Sequence, residues 1–183
     1  ARAFWDEIAA ESETKARVVE IFKTYNAVME KAGNLSVVPF SAGWSDDFDT
    51  PFRIGLRGDT DYRWFESGTG YLSTYYELAL SRFTDSQRPA TAVSLSPVLT
   101  YNFKTSGKLE PFVELGIGLT WVSEKSVGLR ELGSSFQFED RVGAGFRNGP
   151  HDWTLRYIHY SNAGFEEPND GLDLVMINYG YHF

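Results

Sequence analysis

The chain contains no cysteine. A disulfide-stapled secreted scaffold is therefore excluded, which points either to the cytosol or to a barrel that needs no such bonds. No stretch approaches the roughly 18 apolar residues that a spanning helix requires. Nor does a basic-then-apolar leader open the sequence, as expected of a soluble protein or of an exported one whose signal has been removed. Basic residues are scarce beside acidic ones, 17 Lys and Arg against 25 Asp and Glu, for a net charge of −8. Without a basic stripe to meet phosphate, nucleic-acid binding is excluded. An anionic lipid would have to be met by local Arg and Lys rather than by the field of the whole molecule.

What the chain does have is aromatic surface, 16% of its 183 residues. That length fits one domain with a small appendage. Two regions differ in period. In residues 1–34, Val18, Ile21, Phe22, Tyr25, Val28 and Met29 recur at three- and four-residue spacing, and Gly33-Asn34 supplies a stop. These features predict an N-terminal helical extension with a solvated acidic face. Too few basic residues accompany it for strong membrane binding.

From Leu35 to Phe183 the period becomes two. Phe52, Ile54 and Leu56 alternate with Arg53, Gly55 and Arg57, and Val113, Leu115, Ile117 and Leu119 with Glu114, Gly116, Gly118 and Thr120. Similar runs recur through 36–44, 71–82, 91–103, 135–147, 152–161 and 173–183, giving eight strands of roughly ten residues, the length of a membrane-spanning strand. One face is apolar. The other is small and polar with single charges at Glu77, Glu114, Glu139 and Arg141, the filling of a narrow barrel braced by an internal ion cluster.

A soluble lipocalin-like barrel shares this alternation. The last strand separates the two: Val175, Ile177, Tyr179, Tyr181 and Phe183 alternate to the final residue, as in outer-membrane barrels, whereas soluble domains usually end on a polar tail. The expected fold is thus all-β, an eight-stranded antiparallel transmembrane β-barrel with an extra N-terminal α-helix. Trp44, Trp121, Trp153 and Tyr157 are expected in interface girdles, and an even strand number puts both termini on the periplasmic side.

Counting back from Phe183 in steps of two makes Asp173 lipid-facing, and the step from Trp153 reaches His159 and Ser161. Polar groups that face lipid are costly unless they lie at the interface or pair with one another. His and Ser two residues apart share a face at about 7 Å, and a neighbouring strand brings a carboxylate within reach. A nucleophile, a base and an orienting acid fit this set. Interface residues beside a loop fit the spacing as well. In the intervening turn, Asn162, Gly164 and Asn169 are candidates for oxyanion or positioning roles, although Asn169-Asp170-Gly171 is also ordinary turn chemistry.

The segments Gly133-Ser134-Ser135, Phe138-Glu139-Asp140-Arg141-Val142-Gly143-Ala144-Gly145, His159-Tyr160-Ser161-Asn162-Ala163-Gly164 and Pro168-Asn169-Asp170-Gly171 resemble the lipid A 3-O-deacylase (PagL-like) family of outer-membrane enzymes, with Pro111 to Gly118 in weaker support. The resemblance implies an ester hydrolase without metal or cofactor, acting on lipid A or lipopolysaccharide in the outer leaflet at the extracellular-side interface. Ser161 would attack the acyl carbonyl and His159 would take its proton. Asp173 stands where the family usually carries a glutamate, one methylene or about 1.5 Å shorter.

Two other readings compete: a non-enzymatic adhesin or structural barrel, and an outer-membrane phospholipase. Whether the barrel acts alone or as a homodimer is left open by the sequence. So is whether Lys125, Arg130 and Arg147 grip phosphates or solvate loops.

Overall fold

The computed structural model describes residues 35–46, 49–86 and 88–183. The helical extension expected over 1–34 lies outside the described residues.

The elements run β1 (Leu35–Trp44), β2 (Phe52–Asp59), β3 (Gly70–Phe83), β4 (Ala90–Phe103), β5 (Glu110–Val122), β6 (Ser126–Val127), β7 (Arg130–Glu131), β8 (Phe136–Asn148), β9 (His151–Ser161) and β10 (Leu172–His182). Eight of them close into a barrel in the order β1-β10-β9-β8-β5-β4-β3-β2, and β6 and β7 form a separate hairpin. Neighbouring strands run antiparallel, and β1 closes on β10 with Val37 opposite His182. Leu35 and His182 therefore share one rim, here the terminal rim. The loop between β9 and β10 and the β6–β7 hairpin stand at the other, the distal rim.

Among the described residues, closure leaves the barrel sheet itself without an edge strand, which is what a lipid environment demands. The alternation falls as the sequence predicts. Ile54, Leu80, Leu115, Ile117, Val142, Leu155 and Ile177 are exposed on the outside, while Arg53, Glu77, Glu114, Glu139, Arg141 and Arg156 are buried inside. Such an inside-out distribution has no place in water, because no solvated core is gained by exposing a belt of large apolar side chains.

The internal cluster is larger than its expected members. Arg53 binds Glu77 at 2.9 Å and Glu139 at 2.8 Å; Arg141 binds Glu77 at 3.0 Å and also Glu139; Arg156 binds Glu114 at 2.6 Å. The hydroxyls of Tyr75 and Tyr160 donate to Glu114 and Glu139 at 2.6 and 2.8 Å, and Ser96 donates to Glu139 at 2.8 Å. Three arginines balance three glutamates, and the contacts join β2, β3, β4, β5, β8 and β9 across the lumen. Arg53 and Arg156 could not be assigned to this cluster from sequence, since their partners lie on strands remote in the chain.

The inner face is not polar throughout. Towards the distal rim, Phe83, Ala90, Ala92, Val122, Ile158, Leu172, Leu174 and Met176 pack with Val127 and Leu132 of the hairpin region into an apolar plug. The small-and-polar lumen expected from the alternating pattern is thus confined to the rest of the barrel. The difference arises because the hairpin folds over the opening and gives inward apolar residues a dry partner.

Tyr157 also departs from expectation. It stands seventh in the eleven-residue β9 rather than at a strand end, and its hydroxyl is engaged in the polar cluster described below. Arg147 belongs to the terminal rim, where it donates to Asn102 at 2.7 Å and stacks over Phe112, so it neither solvates a loop nor faces lipid headgroups at the distal side.

Removing one partner from a buried ion network leaves an uncompensated charge, at a cost of about 3–5 kcal/mol. Arg141→Ala should therefore lower the temperature at which the folded, fast-migrating band on detergent gels converts to the unfolded one. An unchanged conversion temperature would show that the network does not brace the barrel.

Candidate active site

Strand β9 delivers His159 and Ser161 to the outer face because Ile158, Tyr160 and Asn162 between and beside them are buried. Tyr160 is the anchor. Its ring packs edge-on against Phe83, and its hydroxyl bonds to Glu139 and accepts from Arg53 at 3.1 Å. The inward grip of Tyr160 fixes the outward direction of its two neighbours. On β10, Leu172 and Leu174 are buried in the same way, and they turn Asp173 outward.

The register sets Asp173 directly opposite His159. The imidazole Nδ1 and Asp173 Oδ1 are 2.8 Å apart, with 36% and 50% of the two side chains exposed. With Nδ1 donating to the carboxylate, Nε2 carries the lone pair, which is the tautomer a general base needs. Ser161 follows two residues later on the same face; its Oγ makes no hydrogen bond to another described residue. The sequence-predicted group is thus brought to one face of one rim, with the His–Asp contact formed and the Ser–His contact open.

Two further polar residues share this face. Asp140 of β8 pairs with His159 from the other side, so the imidazole is flanked by a carboxylate on each neighbouring strand. Asp140 follows from the same alternation as Phe138 and Val142, but its nearness to His159 needs the β8–β9 register. The hydroxyl of Tyr157 donates to Asp173 Oδ1 at 2.5 Å.

The β9–β10 loop has its own internal order. Asn162 is buried, and its side-chain amide donates to the carbonyls of Leu132 and Glu166 at 2.9 and 2.7 Å, while its Oδ1 accepts from Gly164 N at 2.9 Å. The Asn162 backbone N–H donates to Asn169 Oδ1 at 3.1 Å. Asn162 and the Gly164 amide are therefore occupied in shaping the loop, and between the two roles left open by the sequence this geometry favours positioning. Asn169 acts as an acceptor here. The hairpin clasps the same loop: Asp170 N donates to Glu131 O at 3.0 Å, and Glu131 N to Asp170 Oδ2 at 2.8 Å. The Glu131 carboxyl is held below its ordinary range by hydrogen bonds from Ser126 and Arg88.

Gly171 closes the arrangement. Its φ is +69°, and a Cβ there would lie 2.9 Å from His159 Cε1 and 3.0 Å from the Tyr160 carbonyl oxygen. What reads as a turn glycine in the sequence thus also makes room for the imidazole ring. Among the described residues no group of three or more His, Cys, Asp and Glu could hold a metal ion.

Comparison with known proteins bears on the same region. The profile of the family described as Lipid A 3-O-deacylase (PagL) matches residues 48–182. The chain is 41% identical over 132 residues to Lipid A deacylase PagL of Pseudomonas aeruginosa, covering 70% of this chain and 75% of that protein. Its identity to Lipid A deacylase PagL of Bordetella bronchiseptica is 36% over 137 residues, covering 72% and 76%. A crystal structure of the outer membrane enzyme PagL superposes with a TM-score of 0.78 at 33% identity, covering 81% of this chain and 100% of that one.

Gly171→Ala combines a strained backbone with a clash against the imidazole. A catalytic group moved by about 1 Å costs on the order of 10²-fold in rate, and His159 is the candidate base here. Ester hydrolysis should therefore fall by about that factor while the barrel remains heat-modifiable; retained hydrolysis would show that the ring accommodates the methyl group.

Proposed function

We propose, for a chain that belongs to the lipid A 3-O-deacylase (PagL) family of outer-membrane enzymes, that Ser161, His159 and Asp173 remove the 3-O-linked acyl chain of lipid A from the lipid-facing side of the barrel wall. The observation that carries this reading is the outward placement of the Asp173–His159 pair and Ser161 at the distal rim. A lumen-facing triad would be sealed off by the apolar plug. An outward one meets a substrate whose ester lies at the boundary between acyl chains and headgroup.

In this mechanism His159 Nε2 takes the Ser161 hydroxyl proton as Oγ attacks the acyl carbonyl carbon. The tetrahedral intermediate collapses by breaking the bond to the sugar 3-oxygen, which leaves with the proton returned by His159. Water then attacks the acyl-enzyme with His159 again as base, releasing the fatty acid and restoring Ser161. Asp173 holds Nδ1 protonated and stabilises the imidazolium. The open Ser–His contact accords with catalytic hydrogen bonds that tighten when substrate binds. The side-chain amide of Asn169 is the candidate donor to the developing oxyanion, with Asn162 and Gly164 holding the loop that presents it. The distal rim is then the extracellular side, where lipopolysaccharide occupies the outer leaflet, and the enzyme works there as a monomer or a homodimer without a cofactor.

Mass spectrometry of lipid A and phospholipids from cells expressing the protein tests the assignment. The wild type should remove one acyl chain from lipid A and leave glycerophospholipid intact; phospholipid loss would favour a phospholipase. Ser161→Ala and His159→Ala should each abolish release with the barrel still folded, whereas a purely structural barrel would show no change. Asp173→Glu should retain or raise activity. Asp140→Asn should leave it within about twofold, because the imidazole bonds to Asp173 in preference to the carboxylate on its other side; a large loss there would shift the orienting role to Asp140.

A further inference from the structure

The acid of the proposed triad is unusually short for its family resemblance and unusually well held. Asp173 Oδ1 accepts two hydrogen bonds at once, from His159 Nδ1 at 2.8 Å and from the Tyr157 hydroxyl at 2.5 Å. Tyr157 lies two residues before His159 on β9, and its backbone partner across the strand pair is Val175. The Tyr157–Asp173 contact is therefore a diagonal one, of the kind only a long side chain can span. The ring is 43% exposed on the outer face, so neither lumen packing nor solvation needs dictates where its hydroxyl goes. In a lipid-facing position a phenol finds few other partners, and the carboxylate is the one it takes.

We propose that Tyr157 is a positioning residue for this active site: its hydroxyl fixes the short Asp173 carboxylate in the place from which it can orient His159. The inference rests on the triad reading above. A carboxylate on one methylene has two rotatable bonds to bring its oxygen to the imidazole, one fewer than a glutamate, and little spare reach with which to correct a poor angle. A second donor on the same oxygen removes its freedom to swing away. The charged and titratable neighbours of the imidazole are Asp173 from β10, Asp140 from β8 and Tyr157 on its own strand, with Arg130 of the hairpin close enough for its charge to act on Asp173. Tyr157 is the one of these whose removal leaves every charge in place.

Tyr157→Phe keeps the ring and its lipid contact and deletes only the hydroxyl. In purified, detergent-folded full-length protein it should lower kcat on a lipid A substrate about 5- to 30-fold with KM changed less than about twofold. In an Asp173→Glu background, where the carboxylate is carried further and no longer sits under the phenol, the same substitution should cost less than about twofold. A residue that merely packs in the outer wall would cost the same in both backgrounds, and that outcome would overturn the proposal, as would a Tyr157→Phe enzyme with wild-type kcat. Ser161→Ala run beside these separates the two levels of the account. If it stays active, the triad and the role of Tyr157 fall together; if it is inactive while Tyr157→Phe keeps the wild-type kcat, the role of Tyr157 alone falls.

Discussion

Everything at the outer face depends on how tightly the lumen is held. Three buried arginines and three buried glutamates cross-link five strands, Ser96 adds a sixth, and Tyr160 enters that network through Glu139 and Arg53. Because side chains alternate along a strand, gripping Tyr160 from inside determines where His159 and Ser161 point outside. A one-residue slip of β9 would turn both into the lumen. The network therefore sets register as well as stability, and register decides whether the residues proposed for catalysis meet on the outer face. Buried ion pairs seldom add net stability over apolar packing, and specifying a unique arrangement is their better-attested use.

The distal rim adds a second layer of constraint. The apolar plug keeps water from entering beneath the site, and the hairpin of Val127 and Leu132 that completes it also clasps the β9–β10 loop through Glu131, Asp170 and the Asn162 side chain. That loop ends at Gly171, whose missing side chain admits the imidazole. Lumen packing, loop order and the seat of the His159 imidazole thus form one continuous chain of contacts. The residues proposed for chemistry sit at its outer end, where acyl chains give way to headgroups. Polar groups can be tolerated at that depth because they pair with one another rather than with lipid.

Much of this is legible in the sequence because a strand has only two faces. Alternation from Phe183 backward assigns Asp173, His159 and Ser161 to the lipid side, and it likewise assigns Glu77, Glu114, Glu139 and Arg141 to the lumen. What alternation lacks is the offset between strands and the identity of neighbours across the barrel. Arg53 meets Glu139, and Arg156 meets Glu114, only once closure is known. Asp140 reads as outward from the pattern, but its position beside His159 is a matter of register. Tyr157 reads as a girdle aromatic until the diagonal contact with Asp173 is seen. The inner faces of the distal strand ends look like any short apolar stretch, since the hairpin that makes them a plug is defined by tertiary packing.

The central claim is that Ser161 is an activated nucleophile accessible from the lipid phase. Treating the folded barrel with a long-chain alkyl fluorophosphonate, then sequencing the peptides by mass spectrometry, tests it directly. The account predicts a single phosphonylated residue, Ser161, with fluoride displaced, and no labelling once His159 is replaced by alanine. An adduct on a different residue, or a Ser161 that stays unmodified while the enzyme is active, would contradict it.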